Sequence, residues 1–213
     1  MSHMKRESVP KTWPVTRKGT AYLVRPASGE IPLLVILRDM LDVSQTRKEA
    51  KKAIQEKLVL LNNRFARDEK EGLNLFDTLS IIPAKKSYRL ELTERGKYAL
   101  VEVKESEANN KIAKVTNKKT LKGKKTQLNL SDGRNFISNI KCRINDSVLI
   151  NFKDKKIEKC IPLNEKSRAI VIVGKHMGKK GIIEKIIPER KMVSLKIEDN
   201  KVDILIKQIM VLE

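Results

Sequence analysis

Gly174, Gly178 and Gly181, with Lys175, Lys179 and Lys180 around them, are the residues of this 213-residue chain whose types and spacing point most directly to a chemistry. They lie in Val-Gly-Lys-His-Met-Gly-Lys-Lys-Gly at 173–181, between the apolar runs 169–173 and 182–187. Strand, glycine loop and strand predict a hairpin. Glycine supplies positive φ and allows the backbone to approach a partner closely. Exposed amides beside lysines, with no acid between Lys175 and Ile183, are the groups that hold a phosphate. A nucleotide-binding P-loop needs four residues between its glycines and a Ser or Thr after its Lys. Here three residues separate Gly174 from Gly178, and Lys180 follows Lys179. An ordinary basic hairpin turn is the alternative reading.

Groups for covalent or metal chemistry are sparse. Cys142 and Cys160 are the only thiols and His3 and His176 the only imidazoles. Without a Cys-x-x-Cys pair a tetrahedral zinc site lacks ligands, so neither metal nor cofactor is expected. The two cysteines, in alternating apolar context, predict buried thiols in a reducing cytosol. Asp132 and Asp146 are the acids in apolar or glycine-rich context, and both read as turn formers, so no enzymatic activity is expected.

The charge balance says what the chain meets. Lys and Arg number 46 against 26 Asp and Glu, a net charge of +20. Such a field attracts a polyanion, either nucleic acid or an anionic membrane. The longest apolar run, 31–37, contains Pro32 and falls far short of the ~18 residues of a spanning helix, and no secretory signal pattern opens the chain. Aromatics are 4% of residues, so the core must come from Ile, Leu and Val, and an RNA reader that stacks bases on several aromatics is disfavoured. Residues 1–83 carry net +5, residues 84–165 net +10 and residues 166–213 net +5. Binding should therefore spread over the molecule.

The elements that must position these charges read as follows. Residues 1–30, broken by Pro10, Pro14, Pro26, Gly19 and Gly29 and charged by Lys5, Arg6, Lys11 and Arg17, predict a basic arm that orders on a partner. Trp13 either stacks on a base or plugs a gap against the folded body. Leu33, Leu34, Leu37, Met40 and Leu41 recur at helical spacing and predict an amphipathic helix. Thr46-Arg-Lys-Glu49 is a capping box opening a second helix, whose Ala50, Ala53 and Ile54 face inward and Lys48, Lys51 and Lys52 outward. Arg47 and Lys48 gain nothing from the macrodipole at a helix N-terminus and are explained there by a docked anion; a solvated charged face is the alternative. Residues 58–61, Asn62-Asn63 and residues 64–67 predict strand, turn and strand, with Arg64 and Arg67 on the return. Substituting Ala for Arg47 and Lys51 should weaken RNA binding without changing the melting temperature much, because both project outward.

From 87 to 162 the alternation is that of strands. Seven lysines and no acid lie between 111 and 125. Lys114, Lys118, Lys119, Lys122, Lys124 and Lys125 then belong to a flexible basic loop or edge hairpin touching phosphates without regard to sequence, or to a solvated face. Arg134, after the Asp132-Gly133 turn, joins the candidate RNA contacts. Residues 168–211 alternate apolar strands with short turns and fit a small SH3-like barrel, with Lys175, His176, Lys179 and Lys180 in its loop.

Residues 168–187, with their three glycines, resemble the KOW motif of RNA-binding small barrels. Residues 33–68, with Arg47, Ala50, Asn62 and Arg64, resemble the alpha-L RNA-binding motif. In this order, after His3-Met-Lys-Arg6, Pro10-Lys11 and Trp13, and joined by Gln127-Leu-Asn-Leu-Ser-Asp-Gly-Arg-Asn135, they resemble the archaeal and eukaryotic S-four-e family of small-subunit ribosomal proteins over the full length. The match at His3 to Arg6 marks the opening Met-Ser-His-Met as native. The resemblance implies an α+β protein: a basic N-terminal arm (1–30), an alpha-L domain (31–83), a central β domain (84–165) and a KOW barrel (166–213). It implies a structural, non-enzymatic constituent of the small subunit, cytoplasmic in the ribosome, with small-subunit ribosomal RNA and neighbouring ribosomal proteins as partners. A non-ribosomal RNA-binding or transcription factor is the alternative. By position, Arg47 and Arg64 match the alpha-L RNA face, and Lys175 and His176 the KOW loop. Lys57 and Asn63 stand where that motif usually has glycine, and the stretch between Pro26 and Ile31 is several residues short.

Overall fold

The computed structural model describes residues 3–138, 140–198 and 200–212, with only the backbone at Lys124. The protein is mostly β and falls into two compact units, residues 1–91 with 97–109 and residues 92–96 with 110–213. Among the described residues no helix is long and apolar enough to cross a membrane.

In the first unit β1 (His3–Lys5) pairs antiparallel with β2 (Tyr22–Val24). The Arg6 guanidinium bridges the loop between them, donating to the carbonyl oxygens of Thr16 and Thr20, both at 2.6 Å, and to Thr20 Oγ1 at 2.9 Å. Trp13 is buried, and the Tyr98 amide donates to the Thr12 carbonyl at 2.8 Å. The expectation of an arm without structure of its own is corrected: one arginine satisfies carbonyls that regular pairing leaves open. Hydropathy carries no sign of that.

β3 (Ile31–Pro32) enters α1 (Leu33–Val35), which widens into a π turn over Ile36–Met40. The sequence predicts one apolar stripe here, yet every residue from 31 to 37 is buried. α2 (Arg47–Gln55) has the capping box: the Glu49 amide donates to Thr46 Oγ1 at 3.3 Å, and Glu49 Oε2 accepts from the Thr46 amide at 3.4 Å. It ends in a left-handed turn at Lys57, φ +58, with the Leu58 amide bonded to the Ala53 carbonyl and the Lys57 amide to that of Ile54. A lysine holds this glycine position at a cost of ~1–2 kcal/mol. β4 (Val59–Leu61) and β5 (Arg64–Phe65) flank Asn62 and Asn63, φ +48 and +61, the mirror-image turn that hairpins favour.

β6 (Gly72–Leu73) pairs with β3, while β7 (Thr78–Ile81), β8 (Lys86–Leu92) and β9 (Tyr98–Val103) complete a sheet ordered β5-β4-β7-β8-β9. The expected boundary between 83 and 84 falls inside this sheet, in the β7–β8 hairpin where Ser80 faces Ser87. Alternation along residues 87–103 reveals strands but not the neighbour they pair with, which is why the sequence assigns them to the following domain.

The second unit holds two five-stranded antiparallel sheets. One is ordered β12 (Asn135–Ile137), β11 (Thr126–Leu130), β10 (Asn110–Thr120), β13 (Ser147–Asn151), β14 (Lys156–Ile161). The other runs β18 (Asn200–Leu205), β17 (Met192–Ile197), β16 (Lys180–Ile187), β15 (Arg168–Val171), β19 (Ile209–Val211). Val115, Leu128, Val148 and Ile150 anchor the first core, and Ala169, Ile183, Val193 and Leu195 the second. The aliphatic core read from composition is the one observed.

Candidate nucleic-acid interface

Helix α2 turns Ala50 and Ile54 inward, so Arg47, Lys48, Lys51 and Lys52 stand exposed on its other face. Arg47 has a carboxylate partner within the chain. Its Nε donates to both oxygens of Glu69, at 3.0 and 2.9 Å, and its Nη2 also bonds Oε1. Lys51 Nζ lies 3.7 Å from the same carboxylate. Glu69 is 1% exposed, and the Arg47 hydrogen bonds hold its carboxyl below the usual carboxylate range. Sequence reasoning missed Glu69, since the acidic cluster 68–71 gives no sign of which member turns inward. The expected indifference of the melting temperature is thereby corrected. Arg47→Ala strands a buried carboxylate and should cost about 2 kcal/mol. Lys48→Ala, in the same helix turn with a solvated side chain, should stay within about 0.5 kcal/mol; urea unfolding of the two variants compares them directly.

Arg64, on edge strand β5, is exposed and paired with Glu71, which also accepts the Arg67 amide at 3.0 Å. Arg67 is exposed. In the arm Lys5, Lys11 and Arg17 are exposed, whereas Arg6 is spent on its own loop. Trp13, at 3% exposure, is the plug rather than the stacking platform. Apolar contact outweighs the value of an exposed indole here.

The lysine-rich run forms the β10–β11 hairpin, with Gly123 at φ +77 in its tip. Lys118, Lys119, Lys122 and Lys125 are exposed; the side chain of Lys124 lies outside the described residues. Lys111 is buried with its Nζ 2.9 Å from Asp132. Lys114 is a correction. It is 4% exposed, and its Nζ donates to the carbonyls of Ile206 at 2.5 Å and Ile209 at 2.8 Å, lashing β10 to the end of the second sheet. The alternation of residues 112–115 is what turns it inward, away from any polyanion.

Burial without a carboxylate pushes the Lys114 pKa down to about 8. An unfolded lysine titrates at its ordinary 10.5. Below pH 8 both states hold the proton and the full cost of burying the cation is present. Between 8 and 10.5 the unfolded chain binds the extra proton, so stability rises with pH, by up to about 3 kcal/mol at this site. Urea unfolding at pH 7 and 10 should show the wild type gaining on Lys114→Met; a constant difference would contradict the assignment.

The glycine loop after β15 departs from the expected phosphate cradle. Gly174 and Gly178 have φ of +108 and +87, but the backbone that Gly178 admits is the chain's own: a Cβ there would sit 1.9 Å from the Thr93 carbonyl oxygen. Three of the loop amides are spent as well. Those of Met177, Gly178 and Lys179 donate to the carbonyls of Gly174, Val171 and His176. What the loop offers outward is side-chain charge, with Lys175, Lys179 and Lys180 exposed and His176 half-buried. Arg134 is half-buried, its guanidinium 4.7 Å from the Phe152 ring.

Asp146 is a turn anchor, accepting from the amides of Arg143 at 2.7 Å and Leu163 at 3.0 Å. Burial raises the Asp132 carboxyl pKa, and the Lys111 ammonium with the Arg134 amide more than offsets that, leaving it below the usual range. Cys142 is buried and Cys160 half-buried, both free thiols. Burial, then the neighbouring Cys142 and Asp146, pushes the Cys160 thiol up, away from reactivity. Among the described residues no three His, Cys, Asp or Glu cluster as a metal site requires.

Cations stand outward on a short helix, on hairpin tips and along an arm, over aliphatic β cores, an arrangement suited to a polyanion. A sequence model described as Ribosomal family S4e matches residues 84–157. The small ribosomal subunit protein eS4 of Methanocella arvoryzae is 36% identical over 191 residues, covering 87% of this chain and 81% of that protein. That of Nanoarchaeum equitans is 35% identical over 192 residues, covering 87% and 82%. The crystal structure of 30S ribosomal protein S4e from Thermoplasma acidophilum superposes with a TM-score of 0.73 at 25% identity, covering 85% of this chain and 94% of that one. The chain belongs to the S4e family of ribosomal proteins.

Proposed function

We propose that this protein is a structural constituent of the small ribosomal subunit, binding small-subunit ribosomal RNA through phosphate contacts in cytoplasmic ribosomes and catalysing no reaction. What carries the reading is the similarity to eS4 proteins along nearly the whole chain, joined to a net charge of +20 whose described cations are mostly exposed. In this reading α2 with the β4–β5 hairpin is the alpha-L module, presenting Lys48, Lys51, Lys52 and Arg67, with Arg47 and Arg64 oriented by their carboxylates. The sheet β15 to β19 is the KOW barrel, presenting Lys175, His176, Lys179 and Lys180. Lys118, Lys119, Lys122 and Lys125 form a third phosphate-contacting tip, and Lys5, Lys11 and Arg17 a fourth. Neighbouring ribosomal proteins are the further partners.

Sedimentation tests it. The protein should stay with small subunits at about one copy after a moderate-salt wash. Recovery mainly among free soluble proteins or with RNA polymerase would overturn the ribosomal reading in favour of a factor.

A further inference from the structure

In the first unit a cleft of about 500 Å³ is bordered by His3, Tyr22, Leu34, Val35, Arg38 and Arg47 among others. That volume is in the range of a small-ligand site. Trp13 and Tyr98 are 3% and 2% exposed, yet Tyr22 is 56% exposed in a chain with only 4% aromatics. Its ring is braced edge-on by His3, centroids 4.9 Å apart at 77°, across the β1–β2 pair. Leu34 and Val35 lie beneath the cleft as buried apolar support, at 2% and 0% exposure.

The two arginines are set alike. Arg38 donates through Nε and Nη2 to Asp39, at 3.0 and 2.8 Å, and Arg47 uses Nε and Nη2 on Glu69. Each guanidinium is held by its side edge, and its Nη1 makes no hydrogen bond among the described residues. A donor fixed in this way loses little freedom when a ligand arrives. Because a carboxylate neutralises each arginine, the cleft adds direction more than net charge. It suits a planar ligand rich in acceptors.

We propose that this cleft captures one unstacked nucleotide of single-stranded RNA, its base lying on the Tyr22 ring and its phosphate or base carbonyl oxygens accepting from Arg38 and Arg47. Stacking of a base on an aromatic ring contributes ~1–3 kcal/mol and tolerates any base. The site rests on the RNA-binding reading above and adds to it a base stack that salt does not govern.

The test uses the full chain and naked small-subunit ribosomal RNA at several salt concentrations, with a single-stranded RNA hexamer carrying one 2-aminopurine as a second probe. Tyr22→Ala should lose about tenfold in affinity for the ribosomal RNA while the slope of log K against log salt is unchanged, since a stacked base releases no counterion. Tyr22→Phe should stay within about twofold of wild type. The hexamer's fluorescence should be quenched by wild type and by Tyr22→Phe and not by Tyr22→Ala. If Tyr22→Ala binds and quenches as wild type does, the cleft is not a nucleotide site, although steep salt dependence would keep the phosphate reading intact. If the wild type binds neither RNA, both readings fall together.

Discussion

Affinity for small-subunit ribosomal RNA should fall by ~10³–10⁵ between 50 and 200 mM salt, the loss that accompanies ~6–10 neutralised phosphates. The expectation follows from where the cations stand. Three lysines occupy the outward face of α2, four more with described side chains the β10–β11 hairpin, and three the exposed side of the glycine loop. Exposed lysines keep condensed counterions on the RNA from returning, and bulk salt competes for that release. Lys114 is outside the set, and neutralising it should leave the slope where it was. Filter binding across a salt series measures the effect, and a flat profile would contradict phosphate dominance outright.

Gly178→Ala should cost at least about 4 kcal/mol, a loss reserved for changes with no way to relax. The new methyl would lie 1.9 Å from the Thr93 carbonyl oxygen and 3.3 Å from the Gly96 nitrogen, all backbone, at a φ of +87. Gly174→Ala is the internal control. Its φ is also positive, but the nearest atoms are in the flexible Gln208 side chain at 3.5 Å, so only the ~1–2 kcal/mol of left-handed strain applies. Urea midpoints of the two variants separate the causes. Equal losses would mean that residues 92–96 do not pack into the loop.

These results divide what sequence reveals from what it hides. The Thr46–Glu49 capping box, the Asn62-Asn63 turn and the aliphatic cores were legible because each is a local rule, set by residues within a turn of one another. Lys57 was legible as a misfit, and it takes the left-handed φ that glycine would take. Lys114 reads as part of a solvated tip because it lies in a run of lysines without acids, whereas alternation along β10 decides which of them turn inward. The pairing of Arg47 is hidden for a different reason. Its partner Glu69 is 22 residues away, and no periodicity links the two.

Charge, core composition, turn chemistry and the order of motifs follow from residue types and neighbours alone; the charge points to a polyanion, and the resemblance of the motifs points to the ribosomal family. Only tertiary structure decides that the glycine loop is filled by the chain's own backbone, that the arm is tied down by Arg6, and that strands β8 and β9 join the first sheet. Such choices depend on which distant groups come within hydrogen-bonding or contact distance. Folding settles that by burying apolar surface and pairing polar groups over the whole chain at once.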